Sequence, residues 1–364
     1  MAHSSQISWK QWTILLILAI IGDSILVLPV FPALLAGQDA WLCALAAMIP
    51  GLVLTGLFGL AASRFPGRTL VENLTFFLGK WFGGTLALIY IGSAILITIS
   101  ILREVSDFLT TSMMPETPIE AVHVLFMAIV IIAAGLGVPD FTRAGEILFP
   151  WFFILLLVLL MFLVPQFELE QVQPVLEGGI KPIMAGMPIC IAVPYIEVVY
   201  FLMIAPMVQE QNKIVRGFIL SALISGTILV LIIAACILVL GADTTTRQMY
   251  PTYELAQTIS IGQFLERLEA LLAIMWIFST FVKTTVCFYA ASQGIAQLMK
   301  LRHYRPLLLP MGLLIVGLTT LFAPNVAYYN EIVTRYWFFW DVAFSVMPVL
   351  FLLAAAAFRR KAAK

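Results

Sequence analysis

Long apolar runs alternate with short polar segments along the whole chain. Counting runs of roughly 20 mostly apolar residues, the length a bilayer requires, predicts ten membrane-spanning helices. They fall at about 9–36, 40–63, 81–102, 121–138, 146–164, 183–207, 215–240, 268–298, 306–323 and 337–358. The polar segment between the seventh and eighth runs, about 241–267, is the longest. Its TTTRQMYPTYELAQTI stretch is too polar to span and predicts a short surface helix around 252–260. Such a loop either caps an outer vestibule or simply connects two spans.

Two of the ten runs are interrupted at their centres. The first reads LLILAIIGDSILVLPVFPALL and carries Asp23 beside Gly22. The sixth reads IMAGMPICIAVPYIEVVYFLMIAP and carries Glu197 just after Pro194. Glycine lets a backbone turn without a Cβ clash, and proline cannot continue the helical hydrogen-bond ladder. The interruptions are five spans apart, each the first of its half. That is the arrangement of transporters built from two inverted five-span repeats, whose broken first helices meet at a midplane binding site. The expected fold is therefore an all-α polytopic membrane protein with a LeuT-like 5+5 inverted repeat. It forms a single transmembrane domain over 1–364, with repeats at about 9–164 and 183–358.

Composition supports this pattern. The chain is 62% hydrophobic and 11% charged, with mean hydropathy +1.03, where soluble proteins carry about 25% charged residues. No stretch outside the spans could form a soluble catalytic domain. The first run is too long for a signal-peptide core and no A-x-A site follows it, so it is expected to be the first span and its own targeting signal. Lys and Arg set the orientation. With both termini in the cytoplasm, 14 of the 20 basic residues lie on the cytoplasmic side. Five (Arg103, Lys181, Arg247, Arg267 and Arg335) lie outside, and Lys283 lies within a span.

The candidate chemistry is carried by the few deep charges. Each costs about 2.5–3.5 kcal/mol at a helix centre on insertion scales, so such residues pair, face a wet cavity or do work. Asp23, Glu197 and Lys283 are the deep ones, with Asp341 nearer the outer end of span ten. In span eight, WIFSTFVKTTVCFYAASQG, residues Trp276, Thr280, Lys283 and Cys287 share one helical face, with Thr284 adjacent. Lys283 is expected to pair with Asp23 or with Glu197, either across a ligand site or as a fixed ion pair that locks helix packing. Asp23 is also a natural N-cap for a half-helix starting near Ile25. Glu197 either serves the site or accepts hydrogen bonds from unwound backbone amides. Arg103, Glu104 and Asp107 at the end of span three are expected to be solvated or locally paired, and His123 and His303 to be solvated. Cys43, Cys190, Cys236 and Cys287 lie in apolar runs without metal-ligand spacing. There is no nucleotide-binding loop, catalytic triad or metal cluster, so no enzyme, no cofactor and no nucleic-acid partner is expected.

The stretch FLERLEALLAIMWIFSTFVKTTVCFYAASQG, with Glu266-Arg267-Leu268-Glu269 leading to Trp276, resembles the spore germination permease family. These are the B subunits of GerA-type germinant receptors, within the amino acid–polyamine–organocation superfamily. Supporting stretches are LGKWFGG (78–84), ETPIEAV (116–122), QPVLEGGIKPI (173–183), YPTYEL (250–255) and IEVVYFLMIAP (196–206). The resemblance implies location in the spore inner membrane, assembly with an A and a C subunit, and recognition of a small germinant, often an amino acid. It places the ligand between the two breaks, at Gly22, Asp23, Ser24 and Ile25 and at Pro194, Tyr195, Ile196, Glu197 and Val198. Thr280, Lys283 and Thr284 face them from span eight, where an ammonium would stand in place of the cation of sodium-coupled relatives. Many superfamily members have G-x-G at the first break and glycine close to Glu197; here stand Gly22-Asp23-Ser24 and Tyr195. Both departures would put larger or charged groups where a ligand sits. A germinant-sensing subunit is the leading expectation. The alternatives are an autonomous, proton-coupled amino acid or polyamine transporter, and an ion or water conduit.

Overall fold

The computed structural model describes residues 6–259, 268–323 and 326–362. Among them, ten helical segments are long and apolar enough to cross a membrane: Trp9–Val27, Val30–Arg64, Phe82–Met113, Ile119–Leu136, Val138–Gln166, Ile180–Met203, Gln211–Arg247, Glu269–Leu298, Arg305–Phe322 and Tyr328–Phe358. They are referred to below as spans one to ten, with the helix Val30–Ala36 counted as the end of span one and Ala40–Arg64 as span two. Glu266 and Arg267, part of the most specific sequence motif, lie outside the described residues.

Two boundaries differ from expectation in ways that matter for the site. Span three continues to Met113, which brings Arg103, Glu104 and Asp107 inside the helix, where all three are buried. Solvation of this group is therefore ruled out; local pairing holds for Arg103 and Asp107, whose Nε and Oδ2 are 2.8 Å apart. Span ten begins at Tyr328 rather than 337, so Asp341 sits well within it and is fully buried. His123 is likewise buried, not solvated, because it faces inward in the first turns of span four.

The first span is broken twice. Ser8 and Gln11 form a capping box that starts the helix Trp9–Ile21. The helix stops at Gly22, resumes over Ser24–Val27, and after Leu28 and Pro29 continues as Val30–Ala36. A short turn at Gly37–Asp39 then leads into Ala40–Arg64. In span six, Ile180–Ile191 is α-helical, Ala192–Ile196 is wound more loosely as a π segment, and Glu197–Met203 is wound tightly as a 3-10 helix. Span six packs along span two, and span one along span seven. The two broken helices thus exchange partners reciprocally, as inverted halves would.

Loop-to-loop bonds show that successive polar segments alternate between two faces. On one face, Ile7 pairs with the segment after span six, through Ile7 N–H to the Met207 carbonyl and Gln209 N–H to the Ile7 carbonyl, both 2.9 Å. The same face carries the helix Leu70–Leu78, started by a Thr69–Glu72 capping box, whose Thr69 hydroxyl donates to Gln297 at the end of span eight, 2.8 Å away. On the opposite face, Asp39 accepts the Leu176 N–H, and Gln166 and Thr258 bond each other. The second group belongs to the segments after spans one, five and seven, as an alternating ten-span chain requires.

Candidate functional site at the two helix breaks

Gly22 brings the backbone of span one close to span eight. A Cβ there would sit 3.1 Å from the Ala19 carbonyl oxygen and 3.3 Å from that of Leu18, so glycine eases the turn, while the Lys283 stem passes at an ordinary contact distance of 3.5 Å from that position. Lys283 Nζ then reaches both oxygens of Asp23, at 2.7 and 2.9 Å. It also lies 2.5 Å from Glu197 Oε2, and it donates a longer bond of 3.3 Å to the Val193 carbonyl in the π segment. The sequence left a choice between Asp23 and Glu197 as partner; the lysine holds both. All three charged residues are at most 5% exposed.

Asp23 does not cap a half-helix. Its backbone is itself helical and its side chain makes no capping bond, because both carboxylate oxygens are turned to Lys283. Ser24 Oγ approaches Asp23 Oδ1 at 3.4 Å. Glu197 does not bind unwound backbone amides either. Its Oε1 accepts the indole N–H of Trp337 in span ten, 2.8 Å away. One ammonium thus joins the breaks of spans one and six, and span ten grips the second carboxylate from behind.

A narrow cleft of ≈ 20 Å³ adjoins this triad. Of the residues singled out from the sequence, Asp23, Ser24 and Glu197 line it. Ile25, Pro194, Ile196 and Val198 are buried but lie off its wall. Thr280 and Thr284 are buried in span eight, where the Thr284 hydroxyl donates to the Thr280 carbonyl at 2.8 Å. The Tyr195 ring also lies off the cleft wall. It points to spans two and seven, where Gly51 and Gly226 leave the notch it occupies.

The cleft also has walls that the sequence reading passed over. Span three contributes Ser100 and Glu104, and span ten contributes Tyr329 and Trp337. Ser100 and Tyr329 share a hydrogen bond of 2.8 Å between their hydroxyls. Asp341, one helical turn beyond Trp337, is fully buried, and neither of its oxygens has a hydrogen-bond partner among the described residues. The surface helix expected at 252–260 is Pro251–Gln257, and it packs tightly. Thr252 Oγ1 donates to the Ile25 carbonyl at 2.6 Å, and Tyr250, Tyr253 and Trp276 surround Phe108 edge-on at 4.9–5.2 Å between ring centres. It therefore caps the first break rather than merely connecting two spans.

Comparison with proteins of known fold and family follows the same lines. Over 92% of its length the chain superposes on Mhp1, a nucleobase-cation-symport-1 family transporter in a closed conformation with bromovinylhydantoin bound, covering 77% of that chain with a TM-score of 0.65 at 11% identity. A manganese transporter of Eremococcus coleocola matches with a TM-score of 0.57 at 12% identity, over 96% of this chain and 80% of that one. These likenesses establish a LeuT-like transporter fold. Among sequences, the chain is 29% identical to spore germination protein KB of Bacillus subtilis over 363 residues, which is 99% of this chain and 96% of the relative. It is 26% identical to spore germination protein B2 of the same organism, over 82% of this chain and 81% of the relative. The spore germination protein family model matches residues 6–327, and with that the chain, an integral membrane protein with ten spans, belongs to the spore germination permease family.

Proposed function

We propose that this protein is the ligand-sensing membrane subunit of a germinant receptor. A small, amino acid-like germinant enters the cleft between the breaks of spans one and six and favours one arrangement of the two broken helices. The change then passes to A and C partner subunits in the spore inner membrane. The observation that carries this reading is the Lys283 bridge between Asp23 and Glu197. A cation built into the protein links the two elements that would have to move relative to each other. A ligand that competes for either carboxylate, or for the ammonium, shifts the balance between arrangements by its differential affinity for them. The role is one of binding and relay, not catalysis. We place the inverted repeats at about 9–164 and 183–358 and both termini in the cytoplasm, on the distribution of Lys and Arg.

The test is a germinant screen of spores carrying this receptor, comparing wild type with Asp23→Asn, Glu197→Gln and Lys283→Met. Altered ligand preference or sensitivity in these variants is expected. Responses identical to wild type in all three would exclude the cleft as the sensing site. The transporter fold supports a second reading, autonomous uptake. Accumulation of labelled amino acid against a gradient by the purified chain alone in proteoliposomes would establish that reading instead.

A further inference from the structure

Glu104 enters none of the ion pairs around the cleft among the described residues. It is 6% exposed, lies on the cleft wall, and its Oε1 has no hydrogen-bond partner among the described residues. Two basic side chains of this part of the fold, Arg103 and Lys283, are both committed elsewhere. Arg103, its neighbour in sequence, turns away to Asp107 at 2.8 Å and to the Ala323 carbonyl at 2.7 Å. Lys283 is already shared by Asp23 and Glu197. A buried carboxyl group without a partner is costly in a membrane interior, and this one lines the cleft in which we place the ligand.

The surroundings specify what would satisfy it. Ser100 lies four residues before Glu104 on the same face of span three, and its hydroxyl is paired with that of Tyr329. A carboxylate and two hydroxyls therefore share the wall. A primary ammonium has three N–H donors and can meet all three groups. A guanidinium is planar and larger, and the cleft is narrow. A metal ion would want several hard oxygen ligands, and no group of three or more His, Cys, Asp or Glu residues among those described is placed to hold one. The remaining wall includes Val27, Leu28, Phe31 and Ile101, which suits a short apolar body.

We infer that Glu104 is the docking carboxylate for a primary ammonium group on the ligand, with Ser100 and Tyr329 as auxiliary acceptors. The inference rests on the cleft being the ligand site and adds the chemical class that the cleft selects. Specificity for the ammonium comes from span three, while the Lys283 triad reports on the arrangement of the broken helices. Replacing the ammonium by a hydroxyl leaves the buried carboxylate unpaired, which is the condition under which polar sites discriminate strongly.

The experiment uses the purified full chain in lipid nanodiscs and calorimetric titration with matched probes. These are glycine against glycolate, L-alanine against L-lactate, and ethylammonium chloride against ethanol, with potassium and sodium chloride as inorganic controls. At least one ammonium probe is expected to bind tenfold or more tightly than its hydroxyl counterpart. Glu104→Gln should abolish that preference, and Glu104→Asp, which keeps the charge but shortens the reach, should retain part of it. Monodispersity and helical circular dichroism check that each variant is folded; if the Gln variant fails this check, the Asp variant decides by whether the preference weakens. The inference is overturned if no ammonium probe binds, if hydroxyl probes or the inorganic cations bind equally well, or if the preference survives Glu104→Gln. Should the germination responses of the triad variants change while Glu104→Gln keeps the preference, only the docking role falls. Should the triad variants also respond as wild type, the cleft itself is the wrong site.

Discussion

The two helix breaks face each other across one lysine, yet they are built and held differently. The break in span one is made by Gly22 and by Pro29, and its carboxylate depends almost entirely on Lys283, with only the 3.4 Å approach of Ser24 besides. The break in span six is a change of winding around Pro194, and its carboxylate is held from two sides, by Lys283 and by the Trp337 indole. The tightly wound stretch after it is tethered further. Tyr200 bonds Ser93 and Ser345 at 3.0 Å each, and the Tyr90 hydroxyl donates to the Val199 carbonyl at 3.3 Å. Span six therefore resembles a braced post and span one a hinged arm latched to it by the lysine. If one break moves first when a ligand arrives, the difference in anchorage assigns that motion to span one.

Removing the latch should have the largest effect. Lys283→Met leaves two buried carboxylates without their ammonium, and breaking a buried ion pair by deleting one partner costs about 3–5 kcal/mol. A large fall in thermal midpoint of the purified protein is expected. The asymmetry between the breaks is tested by second-site rescue. Adding Asp23→Asn to Lys283→Met should recover more stability than adding Glu197→Gln, because Glu197 still has Trp337 and Asp23 has no equivalent. The reverse order of rescue would mean that the breaks are not anchored as described.

Much of this arrangement could be read in the sequence, and the parts that could not share a physical reason. Gly22-Asp23 and Pro194-x-x-Glu197 stand out because an apolar run leaves nothing to hide them, and Lys283 is conspicuous for the same cause. Glu104 was hidden by its own neighbours. The Arg103 and Asp107 charges around it drop the local hydropathy, so the apolar run seems to end at 102, whereas an i, i+4 pair neutralises them inside a continuing helix. Trp337 falls at the expected first residue of span ten and carries no signal of its own, since Asn330, Glu331 and Arg335 make the turns before it too polar to be counted. The direction of the Tyr195 ring is not legible because its pocket is made by glycines in two other spans, a tertiary fact with no local signature. The Leu70–Leu78 helix, in contrast, carried a readable signal in its Thr69-x-x-Glu72 capping box.

A smaller change should make the two breaks alike. Trp337→Phe keeps the ring but removes the donor to Glu197 Oε1, leaving a buried carboxylate oxygen unmet at a cost of about 1–3 kcal/mol. In that background Glu197 depends on Lys283 as Asp23 does. The two rescues of Lys283→Met should then become equal within the error of the thermal midpoints. A persisting advantage for Asp23→Asn would point to some other brace on span six.

The smallest expected effect isolates the hinge itself. Within Ser24–Val27, the Ile25 carbonyl would pair with the N–H four residues on, but that residue is Pro29, which has none. The Thr252 hydroxyl supplies the missing donor at 2.6 Å, so the helix Pro251–Gln257 is fastened to the one carbonyl that the proline leaves open. Thr252→Val preserves the shape of the side chain and removes the donor, at a cost of about 1 kcal/mol. Its signature is local: hydrogen exchange should quicken in the Pro251–Gln257 helix and in Ser24–Val27, while the amides of Glu197–Met203 exchange as in wild type. Equal quickening in both broken helices would show that they open as one unit. Confinement to span one would show that the proline which breaks the helix also creates the attachment point by which the Pro251–Gln257 helix holds it.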